Sequence, residues 1–436
     1  MLLQLGARKI DVFPNYPKGE NRVKIAKIDV LQVNTSAPNW RPIFCRIYTD
    51  SGIYGDGEAA LCYGNAAPGA FGMIKEFATL IIGLDPFDSE AIWEKFYKDT
   101  FWGMTGGPIV FAAISALDIA LWDIKGKALK APVHELLGGK CRDKVRCYAS
   151  QLQYGWPKLF TRNVVEFAAT LDDYKRYGRQ ALDEGFDAVK YDFFSFNLEN
   201  VRPSRDEHER ILHPKFLEMN AQRMAAVREE VGPLVDIIVE NHSRNDAIGA
   251  IQLANLLEPY GVMYFEEPNT PSPHTAEYIS RNTSIPIASG ERIYSRWQYL
   301  SYFERNSLQV IQPDIGNCGG LSEAKKICDM AHTYDVCVQP HICASPLSTS
   351  VALHLEAVIP NFLIHEHHVN NRLLSQQYIT KYNPQPVDGY LPIPEEPGIG
   401  NEITQYAYEH AIAIATIDER QKAVGILPPK DLVNKS

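Results

Sequence analysis

The 436-residue chain has no C-x-x-C pair, and its eight cysteines (Cys45, Cys62, Cys141, Cys147, Cys318, Cys328, Cys337 and Cys343) are scattered through apolar runs. That spread excludes a disulfide framework and a cysteine-rich zinc module; it reads as reduced core thiols in a cytoplasmic protein. No stretch approaches the roughly 20 consecutive apolar residues that span a bilayer, and the start, "MLLQLGARKIDVFPNYPKGENR", holds no hydrophobic run of signal length. No membrane association is expected. Basic clusters are missing as well: 43 Lys and Arg stand against 53 Asp and Glu, a net charge of -10, so no nucleic-acid partner is expected and an anionic ligand needs local help.

What is present is an ordinary globular composition, 45% hydrophobic and 22% charged, enough to bury a full-sized core. After a polar leader, "VKIAKIDVLQVN" and "IFCRIYTDSGIYGDGEA" alternate as a small antiparallel sheet with a turn at Asp50-Ser51-Gly52. Helical patterns follow over Gly72 to Ile82, Ser89 to Tyr97 and Ile109 to Ala128; the last is apolar on most of its surface and is expected between layers. From Val145 the texture becomes short apolar strands alternating with amphipathic helices. The strands are "VRCYAS", "DAVKYD", "DIIVEN", "VMYFEE", "IPIASG", "QVIQPD", "VCVQPH" and "FLIHEH". Eight such units predict an α/β fold of the (β/α)8-barrel type, and no G-x-G-x-x-G loop follows any of them to favour a doubly wound sheet. The expected organisation is an α+β capping domain over residues 1–138, the barrel over 139–369, and a Pro- and Gly-rich segment, 370–436, returning to the capping domain. A charged insertion after the second strand, about residues 194–216, reads as a lid or an oligomer contact.

In such a barrel, reactive groups sit at the carboxyl ends of the strands. Those ends carry Glu240 and His242, Glu266 with Glu267, Glu291, Asp314, His341 and Glu366. Glu240, Glu266 and Glu291 end consecutive units, and bare carboxylates at close range repel unless a cation compensates. All-oxygen ligation favours Mg2+, with Mn2+ as the alternative. Asp314 and His341 end neighbouring strands, so the carboxylate is expected to orient the imidazole as a general base. His242 lies across the mouth as a candidate acid. These parts suit removal of a weakly acidic proton beside a carboxylate, the arrangement described for enolase-type sites.

The segments "ISALDIALWDIKGKALKAPVHELLGG", "VENH", "FEEP", "SGER", "VIQPDIGNCGGLSEAKKI" and "VQPH" together resemble the mandelate racemase and muconate lactonizing subgroup of the enolase superfamily. The resemblance runs from Arg22 to about Glu402. It implies a capping domain on a modified barrel, Glu240, Glu266 and Glu291 as Mg2+ ligands, Asp314 and His341 as the dyad, and Glu366 as a contact to the substrate carboxylate or enediolate. Within the subgroup the chain looks most like acid-sugar dehydratases of the galactonate type, in which a histidine at the position of His242 expels the 3-hydroxyl, while "FEEPNTPSP" and the insertion after the second strand are similar to the mannonate type. The subgroup's Lys-x-Lys of the second strand is Lys190-Tyr191-Asp192 here, which disfavours two-base racemisation. Lys190, Asp192 and, in the loop "NTSAPNWRP", Trp40 and Arg41 are candidate substrate contacts. The reading is therefore a sugar-acid dehydratase forming a 2-keto-3-deoxy acid, expected as a homo-oligomer. The alternatives are an epimerase working through the same enediolate and a catalytically silent sugar-acid-binding homologue.

Overall fold

The computed structural model describes residues 22–35, 37, 40–197 and 201–422. The start read for a signal segment, part of the loop before Trp40, three residues of the insertion and the last 14 residues lie outside them. In the capping unit, β1 (Ile25–Val33), β2 (Ile43–Thr49) and β3 (Tyr54–Ala59) form an antiparallel meander, followed by α1 (Ala67–Thr79), α2 (Ser89–Glu94) and α3 (Pro108–Leu129). A short α4 (Val133–Leu136) leads into the barrel. The apolar α3 is buried along nearly its whole length because β3 lies across it. Gly55 and Gly57 permit that approach: a Cβ at either would overlap the carbonyl oxygen of Ala120 or Ala116.

The barrel strands are β4 (Lys144–Ser150), β5 (Ala188–Asp192), β6 (Asp236–Glu240), β7 (Val262–Glu266), β8 (Ile287–Ser289), β9 (Val310–Ile311), β10 (Cys337–Val338) and β11 (His365–His368). Between them run α5 (Leu171–Asp183), α6 (Arg205–His208) and α7 (Pro214–Val231), α8 (Ala247–Leu257), α9 (Pro273–Ser280), α10 (Ser295–Glu304), α11 (Gly320–Thr333) and α12 (Pro346–Val358). The eight strands are parallel in the order β10-β9-β8-β7-β6-β5-β4-β11. The ring closes through a parallel bridge from Val338 to Phe362, with hydrogen bonds from Val338 N to Asn361 O (2.9 Å) and Leu363 N to Val338 O (2.8 Å). Strands β9 and β10 are only two residues long; each soon meets a proline, Pro313 or Pro340, which has no N–H to give a ladder.

A small inner cluster of Tyr148, Ile238, Tyr264, Ala288 and Val310 fills the barrel axis, while the main core lies between sheet and helices. The chain then adds β12 (Tyr390–Pro392) antiparallel to β4, α13 (Gln405–Glu409), and β13 (Ala411–Asp418), which pairs antiparallel with β1. The tail thus supplies the fourth strand of the capping sheet, order β13-β1-β2-β3. Among the described residues no helix is long and apolar enough to cross a membrane.

Candidate active site

Strand register gathers the acids. Asp192 pairs with Glu240 across β5 and β6, and Glu240 with Glu266 across β6 and β7, so three carboxylates stand in a row at the carboxyl edge of the sheet. Lys190, one inward-facing position below Asp192 on β5, is fully buried. Its Nζ lies 3.3 Å from Glu240 Oε2, 2.8 Å from Glu266 Oε1 and 2.9 Å from Glu366 Oε1. Burial opposes the charge on Lys190, but these carboxylates outweigh it and hold the ammonium well above its ordinary pKa. Glu366 also accepts Ile342 N–H at 3.0 Å and the Ser150 hydroxyl at 2.6 Å.

One ammonium does not balance the cluster. Burial and the adjoining Glu240 push Glu266 well above the usual carboxylate range, and its buried Oε2 has no hydrogen-bond partner. Glu267, whose Oε1 is likewise buried and unpartnered, is raised to about 8 by burial and by Glu291. Orphaned carboxylate oxygens in a cluster short of positive charge are the donor chemistry of a hard divalent cation. In the conformation seen, no three carboxylate or imidazole groups among the described residues converge in ligating geometry. Glu291 is turned to Arg292 Nη2 (3.0 Å) and His341 Nε2 (3.0 Å). The residues therefore fit the group by donor type, with Glu291 engaged elsewhere.

Two imidazoles flank this cluster. His341 Nδ1 lies 2.7 Å from Asp314 Oδ2, the pairing expected from neighbouring strand ends. Burial disfavours its charged form, yet Glu291 and Asp314 raise its pKa well above the ordinary value. At the ends of β5 and β6 a second pair is present: His242 Nδ1, two residues past β6, is 2.8 Å from Asp192 Oδ2. His242 has a left-handed backbone (φ 50°), its N–H donates to Glu240 Oε1 at 2.9 Å, and Glu240 and Asp192 lift its pKa to about 9 against the effect of burial. In the closed ring β6 and β10 are four strands apart, as are β5 and β9, so the two His–Asp pairs occupy opposite sides of the mouth.

The cap supplies the rim. Ala60 N donates to Gly316 O (2.9 Å), and Glu58 accepts from Ser345 N (3.0 Å) and Ser348 Oγ (2.8 Å), tying the end of β3 to the loop after β9 and to the start of α12. Trp40 stacks on His368 with ring centroids 6.1 Å apart, whereas Arg41 is held by Gly64 O at 3.0 Å. The insertion packs on the start of α8: Arg210 N donates to Asp246 Oδ2 (3.1 Å) and Leu212 N to Gln252 Oε1 (2.9 Å). Three neighbours are given no functional role from sequence, Arg292 being read only as an ion-pair partner for a strand-end acid. His368 was signalled by the period-two pattern, since it shares a strand face with Glu366. Arg292, which binds Glu267, and Cys343, 3.4 Å from His368 Nε2, lie on loops where no period applies.

Comparison with known proteins identifies the family. Residues 28–138 match the mandelate racemase / muconate lactonizing enzyme N-terminal domain, and residues 173–407 match the enolase C-terminal domain-like family. The D-galactonate dehydratase of Xanthomonas campestris pv. campestris (strain B100) is 32% identical over 387 residues, 87% of this chain and 92% of that protein. The D-galactonate dehydratase of Variovorax paradoxus (strain S110) is 32% identical over 393 residues, 88% of this chain and 94% of its own. A crystal structure of a member of the enolase superfamily from Salmonella Typhimurium is 44% identical, with a TM-score of 0.87 over 91% of this chain and 100% of that one. Membership of this superfamily implies a divalent metal ion. The chain belongs to the mandelate racemase / muconate lactonizing enzyme family of the enolase superfamily and is an enzyme, placed by its dehydratase relatives among the hydro-lyases.

Proposed function

We propose that the protein dehydrates a six-carbon sugar acid such as galactonate, mannonate or gluconate to a 2-keto-3-deoxy acid. The observation that carries this reading is the pair of Asp-bound histidines on opposite sides of one carboxylate-lined mouth. The names of the curated relatives support the substrate class. His341, its Nδ1 held by Asp314, takes the proton at C2 on Nε2, the nitrogen that faces Glu291 in this structure. His242 presents its Nε2 proton to the departing 3-hydroxyl. Glu240, Glu266 and Glu291 would hold the metal, Mg2+ with Mn2+ as the alternative, ions that oxygen donors favour over zinc or copper. When bound, the cation withdraws charge from the substrate carboxylate and so eases loss of the C2 proton.

Lys190, buried among Glu240, Glu266 and Glu366, offsets their charge from below and keeps the row of acids from splaying. Trp40, on the cap side of His368, closes the rim where the distal hydroxyls of the sugar would lie, and Arg41 borders it. A panel of aldonic and aldaric acids incubated with Mg2+ and assayed for keto acid with semicarbazide tests the reading. Keto acid from at least one member of the panel is expected, and its absence from every member overturns the assignment.

A further inference from the structure

We infer that Asp192 is the positioning residue for His242, controlling how often proton removal at C2 is completed by loss of the 3-hydroxyl, without itself touching the substrate. The inference rests on the dehydratase reading and deepens it. Asp192 ends β5 and is 1% exposed. Its Oδ1 accepts the backbone N–H of Phe194 (2.9 Å) and of Ser195 (3.0 Å). Its Oδ2 accepts His242 Nδ1 at 2.8 Å and the Ser195 hydroxyl, and the Arg244 guanidinium stands 3.8 Å away. Both oxygens are therefore occupied by protein donors, which leaves a substrate hydroxyl little to bind.

The same contacts fix the imidazole. An ionised carboxylate only accepts, so the His242 nitrogen facing Asp192 must carry hydrogen, and the ring is left with Nε2 turned away from the carboxylate. The loop holding the ring is pinned at a second point, the donation of His242 N–H to Glu240 Oε1. Asp314 and His341 share none of these contacts; they lie just past the ends of β9 and β10, across the ring.

The division of labour follows from the balance of the reaction. The C2 proton passes to His341 Nε2, and the C2–H electron pair enters the enediolate. That pair then forms the C2=C3 bond as the C3–O bond breaks, its electrons leaving on oxygen. The His242 Nε2 proton moves to that oxygen, water departs, and the enol takes a proton at C3 to become the keto acid. Loosening His242 stalls the second stage and leaves the first reversible.

The test uses the full chain with Mg2+ in D2O and the sugar acid it turns over fastest, following C2 label in recovered substrate and keto acid formed. For Asp192→Asn, keto acid formation should fall on the order of 10²-fold with KM little changed, while C2 exchange stays near the parent rate. Ser195→Ala removes one donor to the same carboxylate and should shift the partition the same way by a smaller factor, serving if the Asp192 variant does not fold. Exchange and elimination falling together, or a risen KM with kcat retained, overturns the inference. A parent protein that exchanges C2 hydrogen without forming keto acid overturns the dehydratase reading instead.

Discussion

Two pairs of histidines in this molecule have opposite characters. At the mouth, His341 and His242 each meet an aspartate at hydrogen-bond distance and are held toward the charged form. Where α4 meets α12, His134 and His354 stack with ring centroids 5.5 Å apart, both nearly inaccessible, and the exposed Glu395 stands 3.7 Å from His134. His354 Nδ1 accepts the His134 backbone N–H at 3.2 Å, and burial pushes its pKa down to about 3. Burial lowers the pKa of His354 and opposes charging at the mouth as well, where the His341 and His242 side chains stay 14% and 22% exposed. What separates a proton-transfer group from a packing group is the carboxylate that the strand register delivers to it.

That contrast can be broken most sharply at His341. Replacing it with Asn should lower turnover by at least about 10³-fold and abolish C2 hydrogen exchange as well, measured by NMR in D2O. Chelation of the metal from the protein as purified should remove turnover reversibly, with activity returning on Mg2+ addition, because the oxygen donors of Glu240, Glu266 and Glu291, with Glu266 Oε2 unpartnered, suit a hard divalent cation. His242→Asn should cost on the order of 10²- to 10⁴-fold in keto acid formation while exchange persists, read from the same spectra.

The smallest effect belongs to the packing pair and concerns stability. The pKa of His354 is depressed from 6.5 to about 3, so between those values the unfolded chain binds its proton and the folded chain does not. Stability therefore falls as pH drops below 6.5, by up to ~1.4 kcal/mol per pH unit for this group. His354→Gln should flatten that dependence, seen by comparing urea midpoints of variant and parent at pH 6.5 and 5.

Periodicity made the elements legible, and register determined what could not be read. The eight strands and the buried α3 follow from apolar patterns local to each segment, and the acids at the strand ends from the rule that a barrel's chemistry lies there. Two of the family-like segments meet in space: Ser115 on α3 accepts Gly319 N and Gly320 N at 2.9 and 2.8 Å, and Asp118 accepts Ser322 N at 2.9 Å. The pairing of Asp192 with His242 was not legible, since fifty residues separate them and only the β5–β6 register brings them together. Lys190 is similar: a lysine read as a substrate contact lies fully buried among three glutamates, a position no local pattern marks. The Pro- and Gly-rich segment that returns to the capping domain holds β13, whose alternation of Ala and Ile lies beyond the Pro and Gly residues that dominate the segment's composition.

The central claim is that two opposed His–Asp pairs divide one elimination between them. Its most direct test is a single incubation of the full chain with Mg2+ and its preferred sugar acid in D2O, following both substrate and product by NMR. The account predicts a 2-keto-3-deoxy acid carrying one deuterium at C3. Recovery of an epimer labelled at C2, with no keto acid formed, would contradict it.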